Sequence, residues 1–157
     1  MAAFLSYGVS NIAMGFALMF RPDALYDSLL AHYIHQKLGL RMTDVRTAPG
    51  FNNALACITL AVGAGATRAS MTGSRTAQSC IALMSVVWTV SIIASCVVNP
   101  ELASATHVIA AVVDACFSIA LLWTGGFSIP ELLGLKPVRG GSSSSSSRSR
   151  TYKPRRS

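Results

Sequence analysis

The sequence has few charged residues, and its acidic residues are fewer than its basic ones. Only 12% of its 157 residues are charged, six of them Asp or Glu, whereas 52% are hydrophobic and the mean hydropathy is +0.49. A typical soluble domain carries about 25% charged residues. The shortage of charge therefore argues against an ordinary soluble domain and is typical of an integral membrane protein.

The signatures of common soluble enzymes and of metal sites are also missing. The sequence contains no Walker A loop, GxGxxG, GxSxG or HExxH motif, which argues against nucleotide-driven pumping and soluble hydrolase chemistry. Its four cysteines show neither CxxC nor Cys/His spacing, and His32 and His35 have no third ligand nearby in the sequence. We expect neither a metal nor another cofactor.

Negative charge is entirely absent from residues 136–157, which hold seven of the thirteen Lys and Arg residues and a run of six serines. Residues 1–135 hold six basic and six acidic residues and are neutral overall. With almost no apolar side chain to bury, the tail is expected to be disordered. It is expected to act as a charged anchor, with anionic lipid as a further contact. Nucleic-acid binding is not expected, because the tail has no aromatic residue beyond Tyr152.

Four apolar runs are long enough to cross a bilayer core of about 30 Å, at residues 2–20, 48–67, 76–98 and 106–127. Short linkers between the later runs make neighbouring helices antiparallel. The sequence therefore predicts an all-α, integral membrane, four-helix up-down bundle formed by residues 1–135. Residues 24–40 carry an apolar stripe with the 3.6-residue period but many polar groups, so we predict an amphipathic helix at the membrane interface.

The distribution of basic residues predicts the orientation in the membrane. The side with the N-terminus, the second linker and the tail carries nine Lys and Arg residues, against four on the other side. This count places both termini in the cytoplasm, although without the tail the count is two against four and favours the reverse. In a eukaryotic host the expected location is an endomembrane such as the endoplasmic reticulum.

Asp114 is the most unusual residue, because it lies near the middle of the fourth apolar run. A carboxylate at that depth costs about 2.5 kcal/mol or more, so such groups face a bundle interior and a polar partner. Ser118 continues its helical face. No cationic residue lies at the same depth, which favours the neutral acid. Asp114 is therefore a candidate general acid, a ligand-binding group or a structural hydrogen-bond donor; a proton or ion pathway is a further alternative.

Several other polar residues are weaker candidates. His107 shares the helical face of Asp114 but lies about 10 Å away along the axis, and it is the second candidate catalytic residue. Asn11, Asn52 and Ser118 are candidate substrate-binding residues. Polar groups on the other spans are potential partners of Asp114, and these are Ser6, Ser10, Asn11, Asn52, Asn53, Cys57, Thr59, Ser85, Trp88, Thr89 and Ser91.

The layout resembles the DoxX-like group of small four-helix membrane proteins. The resemblance covers about residues 5–127 and depends on the Gly15-to-Pro22 end of the first run, the Asp44-Val-Arg46-Thr-Ala-Pro-Gly50 opening of the second and a fourth run beginning at His107. Such proteins commonly have a second glycine beside Gly50, where this chain has Pro49. The resemblance implies the fold and a membrane location, and some members accompany redox or small-molecule pathways, including fungal natural-product pathways. It implies no catalytic residue.

Three functions are compatible with these features. The first is an accessory component of a pathway for lipophilic small molecules, including natural products, or of a membrane complex with a protein partner. The second is a membrane-embedded isomerase or cyclase that uses Asp114 as general acid. The third is a transporter or channel subunit, which has less support because the spans contain a single central charge and no evident internal repeat.

Overall fold

The structure, a computed structural model, describes residues 2–44, 46 and 48–137. These residues form seven α-helices: α1 (Ala2–Phe20), α2 (Pro22–Tyr26), α3 (Leu29–Leu38), α4 (Pro49–Thr72), α5 (Arg75–Val98), α6 (Ala105–Gly125) and α7 (Ile129–Leu132). They form no β-strand, and the predicted all-helical fold with four long apolar helices is confirmed. Helices α1, α4, α5 and α6 are long and apolar enough to cross a membrane. The predicted disordered tail lies almost wholly outside the described residues.

Local sequence signals set the ends of the long helices. Pro49 occupies the first turn of α4, where its missing N–H is not needed. The side chains of Ser74 and Ser104 accept backbone N–H groups at the starts of α5 and α6. At the far end of α4, Gly73 takes the left-handed conformation at φ 63°. Helix α4 therefore runs five residues beyond the predicted end at residue 67, because the cap, and not the apolar run, ends it.

The amphipathic segment differs from the single helix predicted over residues 24–40. It consists of α2 and α3, separated by Asp27 and Ser28. Ser28 has an extended backbone, and its hydroxyl accepts the N–H of Ala31 at 3.3 Å. This side chain starts a new helix, since serine at such a position competes with helix continuation. Gly39 then ends α3 at φ 67°.

The closest packing between long helices joins α1 to α4, and it depends on glycine. A Cβ atom added to Gly63 would lie 2.7 Å from the backbone nitrogen of Ile12 and 2.8 Å from the carbonyl oxygen of Gly8. One added to Gly8 would lie 2.7 Å from the backbone nitrogen of Thr67. The two backbones therefore touch without intervening side chains, as in small-residue contacts between membrane helices.

A hydrophobic core connects the α1–α4 pair with α5 and α6 at one end of the molecule. Its buried members come from the start of α1, the end of α4, the start of α5 and the end of α6: Phe4, Tyr7, Ala66, Ala69, Ile81, Ala82 and Leu121. Aromatic edges add to it, since the rings of Phe4 and Phe127 meet edge to face at 6.4 Å. Through this core, Tyr7 of α1 lies against α5 and α6.

At the opposite end, the loop after α3 docks on the start of α6. The N–H of Ala105 donates to the carbonyl oxygen of Arg41 at 2.9 Å, and the hydroxyl of Thr43 donates to Ser104 Oγ at 2.8 Å. These bonds hold the segment between α1 and α4 against the connection between α5 and α6.

Candidate functional site

Helix α1 contributes Tyr7 and Asn11 to the middle of the molecule. The two residues are one turn apart and share a face, and Asn11 Nδ2 donates to the carbonyl oxygen of Tyr7 at 2.9 Å. Tyr7 is buried, its ring meets that of Phe117 edge to face at 5.3 Å, and its hydroxyl interacts with the side chains of Ser85 and Asn11. Tyr7 therefore reaches from α1 to a polar group on α5.

Helices α5 and α6 are joined at the same level by three buried hydroxyl groups. Ser118 Oγ lies 2.7 Å from Ser85 Oγ and 3.1 Å from Thr89 Oγ1. Ser85 and Thr89 are one turn apart on α5, so both reach the single serine of α6. All three side chains are buried, and their mutual hydrogen bonds offset the cost of removing them from a polar environment.

Asp114 lies one turn before Ser118 on α6, at the edge of this set of three hydroxyls. The indole N–H of Trp88 donates to its carboxyl group. Asp114 is half-buried, and Trp88 is 46% exposed. We call the whole set the central polar cluster, and its members are Tyr7, Asn11, Ser85, Trp88, Thr89, Asp114 and Ser118.

The structure brings some of the sequence-predicted residues together and separates others. Asp114, Ser118 and Asn11 belong to the central polar cluster, together with Ser85, Trp88 and Thr89, which the sequence named as potential partners. Thr59 does not, since its hydroxyl donates to the carbonyl oxygen of Leu55 in its own helix at 2.8 Å. Ser91 is exposed on α5. The cluster also contains Tyr7, which the sequence reading missed because it lies in an apolar run; its one-turn spacing from Asn11 is the signal.

Asn52 lies away from Asp114, near the end of α1. It is 9% exposed, its Nδ2 donates to the carbonyl oxygen of Leu18 at 2.8 Å, and its Oδ1 accepts the hydroxyl of Tyr26 at 3.0 Å. Burial raises the pKa of Tyr26. Asn52 therefore ties α4 to α1 and α2, and this explains its burial without a ligand.

His107 also lies apart from Asp114, in a hydrogen-bonded chain at the start of α6. The hydroxyl of Thr106 donates to Thr43 Oγ1 at 3.2 Å, and that of Thr43 donates to Ser104 Oγ. Ser104 Oγ also accepts the backbone N–H of His107, so its own proton is directed to His107 Nδ1 at 2.9 Å. Both lone pairs of Ser104 are then used, which fits a helix cap better than a nucleophile.

Two of the cavities formed by the described residues lie outside the central polar cluster. The first, about 360 Å³, lies between the α2 region and the loop after α3, and its lining residues are Asp23, Tyr26, Asp27, Met42, Thr43, Asp44 and Arg46. The second, about 280 Å³, is an apolar groove between α5 and α6, lined by Ile93, Cys96, Val97, Val108, Ala111, Val112 and Ala115. Within the described part of the chain, no three His, Cys, Asp or Glu side chains come together to hold a metal ion.

The chemistry of the central polar cluster is that of neutral hydrogen bonding around one carboxyl group. Helix α1 has no Lys, Arg or His residue, the only such residue of α5 is Arg75 in its first position, and that of α6 is His107 in its first turn. The cluster can donate and accept hydrogen bonds and, through Asp114, exchange a proton.

No family model matches this chain, and comparisons with curated proteins and with solved structures found no match.

Proposed function

We propose that this chain is a multi-pass membrane protein that serves as an accessory component of a pathway for lipophilic small molecules or of a membrane complex. Helices α1, α4, α5 and α6 cross the bilayer as an up-down bundle. At 1.5 Å per residue, the 19 residues of α1 extend about 28 Å, which matches the thickness of the hydrocarbon core. We also propose that the chain is related to the DoxX-like group that its layout resembles.

The observation that carries this proposal is the central polar cluster, which joins α1, α5 and α6 at mid-length. In an apolar solvent, helices gain little from burying apolar surface, and hydrogen bonds between them help to select their partners. Asp114 has the Trp88 indole as donor and lies one turn from the Ser85–Ser118–Thr89 hydroxyls. Its role in the proposal is to organise three helices, not to carry a permanent negative charge.

A pair of substitutions at Asp114 tests this role in the full-length chain. Asp114→Asn keeps the size and can still hydrogen bond, so it should be present in membranes at the wild-type amount. Asp114→Leu removes the acceptor of Trp88 and should lower the amount severalfold, as measured by quantitative immunoblotting of the membrane fraction. Ser91→Leu, on the exposed side of α5, is the matched control and should change nothing. Wild-type amounts of both Asp114 variants would contradict the organising role.

A second function, an isomerase or cyclase with Asp114 as general acid, is favoured by one specific observation. Asp114 is only half-buried and its partner Trp88 is 46% exposed, so an apolar molecule dissolved in the bilayer can approach the carboxyl group between helices. Asn cannot deliver a proton. If Asp114→Asn is made at the normal amount and the cell's lipophilic metabolites change, the enzyme is supported over the accessory component.

The remaining parts of the chain fit the same proposal. Helices α2 and α3 lie at the membrane interface, where the exposed apolar side chains Leu29, Leu30 and Tyr33 contact lipid. Both termini are cytoplasmic, the membrane is an endomembrane such as the endoplasmic reticulum, and the basic tail contacts anionic lipid.

A further inference from the structure

The cavity of about 360 Å³ between the α2 region and the loop after α3 has walls that are fixed to the long helices. On the first wall, the hydroxyl of Tyr26 donates to Asn52 Oδ1 of α4 at 3.0 Å. On the second wall, the hydroxyl of Thr43 donates to Ser104 Oγ, at the start of α6, at 2.8 Å. The cavity is therefore formed before a ligand binds, and its volume lies within the range of about 300–1,000 Å³ that small-molecule sites have.

Charged side chains of both signs line this cavity. Asp23 and Asp27 come from the α2 region, and Asp44 and Arg46 come from the loop, where Asp44 Oδ1 accepts the backbone N–H of Arg46 at 2.9 Å. All four side chains are exposed, so a molecule can reach them from outside. Because three carboxylates and one guanidinium line the same cavity, a molecule that carries both a cationic and an anionic group fits it best.

The arrangement of these carboxylates favours an organic cation over a metal ion. Within the described part of the chain, no three His, Cys, Asp or Glu side chains come close enough together to hold a metal. A primary ammonium group has three N–H donors, which can bond to carboxylates at separate points. A quaternary ammonium group is instead bound by a cage of aromatic rings. Of the described residues that line the cavity, Tyr26 alone is aromatic, so the primary ammonium is the better fit.

Apolar side chains near the cavity suit a ligand that also has hydrocarbon chains. Phe20 and Leu29, which precede and follow α2 in the chain, are 68% and 89% exposed. In the proposed membrane arrangement, α2 follows directly on the end of α1 and therefore lies at the level of the lipid head groups. A molecule at this level can place its charged group in the cavity and its hydrocarbon chains against these two side chains.

We propose that this cavity binds the phosphoethanolamine head group of a zwitterionic phospholipid. The ammonium group donates to the carboxylates of Asp23 and Asp27, and the phosphate accepts from the guanidinium of Arg46. The acyl chains lie against Phe20 and Leu29. The proposal rests on the proposed membrane location and goes beyond the proposed function, since it names a lipid that the segment between α1 and α4 binds. No covalent bond is made or broken in this binding step.

The test measures which lipid the full-length protein retains. The protein is placed in nanodiscs that contain equal amounts of dioleoyl phosphatidylethanolamine and dioleoyl phosphatidylcholine, and the lipids still bound after release into detergent are counted by native mass spectrometry. The wild type should retain about five times more of the ethanolamine lipid, a ratio that corresponds to about 1 kcal/mol, as for a favourable exposed ion pair.

Variants of the lining residues locate this preference. The double variant Asp23→Asn, Asp27→Asn removes the negative charges that the ammonium group meets, so the two lipids should be retained about equally. Arg46→Gln should lower the retained amount of both lipids and keep their ratio, because both carry the phosphate. Glu101→Gln is the matched control, since Glu101 is an exposed acid in the turn Pro100–Leu102 and does not line the cavity. It should leave the preference unchanged.

Equal retention of the two lipids by the wild type overturns the proposal, and this result does not depend on the folding of any variant. A preference that persists in the double variant also overturns it, because the lipid is then selected elsewhere. Glycerophosphoethanolamine, added at the same concentration as the lipid, should not displace it, and complete displacement would show a water-soluble ligand instead of a lipid. The organising role of Asp114 would survive each of these results, since membrane amounts of the Asp114 variants measure it separately.

Discussion

A carboxyl group in the middle of an apolar helix requires polar neighbours, and Asp114 has them. The indole of Trp88 donates to it. One turn further along the contact between α5 and α6 lie the buried hydroxyls of Ser85, Thr89 and Ser118. In the proposed bilayer, an acid at this depth costs about 2.5 kcal/mol or more. At the scale of single residues, the hydrogen bond from the Trp88 indole offsets part of that cost.

Tyr26 gives a prediction about pH. Burial raises the pKa of its phenol, so the folded state keeps the neutral form at a pH where the unfolded chain, with a pKa of about 10, ionises. Its contribution to folding is therefore fully present below about pH 10 and is lost as the pH rises through the folded-state pKa. Tyr26→Phe should lower the free energy of unfolding by about 1 kcal/mol at pH 8, because it removes the bond to Asn52.

The measurement is denaturant unfolding in mixed micelles at pH 8 and pH 11. Wild type should lose more stability between these two values than Tyr26→Phe, since the other tyrosines titrate equally in both proteins. An identical loss in the two proteins would show that Tyr26 does not titrate differently on folding.

Some features of the site are readable from residue types and others are not. Asp114, Ser118 and the mid-span groups on α5 could be named from position alone, because polar residues in apolar runs are few and helices of similar length align their centres. Tyr7 was missed, since tyrosine is common in apolar runs and its one-turn spacing from Asn11 gains meaning only from the contact with Ser85 on α5. Likewise, His107 shares a helical face with Asp114, but its Nδ1 is held by Ser104, a contact that depends on the loop geometry.

At the scale of helices, apolar length identified the four long elements, whereas caps determined their ends. Ser28 divides the amphipathic segment into α2 and α3, and Gly73 sets the end of α4 beyond its apolar run. The pairing of α1 with α4 was not evident from the sequence, because glycine is frequent in membrane helices and its partner depends on the three-dimensional register.

The α1–α4 contact leads to a prediction with a matched control on the same helix. Gly63→Ala places a methyl group 2.7 Å from the backbone nitrogen of Ile12, and backbones cannot yield as side chains do. The variant should lose about 1–3 kcal/mol of unfolding free energy. Gly65→Ala meets only Ile81 Cδ1 at 3.7 Å, so it should be neutral or stabilising by up to about 1 kcal/mol, the difference in helix propensity.

Both variants are compared with wild type by denaturant unfolding in mixed micelles. A loss for Gly65→Ala as large as that for Gly63→Ala would mean that the close approach of α1 and α4 is not what these glycines provide.

At the scale of the whole molecule, the proposed function requires the four long helices to cross a bilayer in alternating directions. Their lengths and composition permit it, and the short linkers after α4 and α5 require reversal of the chain at each. The segment that holds α2 and α3 then lies on the same side as the turn at Pro100–Leu102, in agreement with the bond between the carbonyl oxygen of Arg41 and the N–H of Ala105.

The most direct test is the accessibility of four single cysteine substitutions in cells whose plasma membrane alone is permeabilised. If the proposed orientation is right, a membrane-impermeant maleimide should label Thr72→Cys and Ser142→Cys from the cytoplasmic side. It should reach Asp27→Cys and Glu101→Cys only after detergent is added. The natural cysteines lie within α4, α5 and α6, and wild-type labelling gives their background. Labelling of Asp27→Cys and Thr72→Cys from the same side would contradict the alternating bundle.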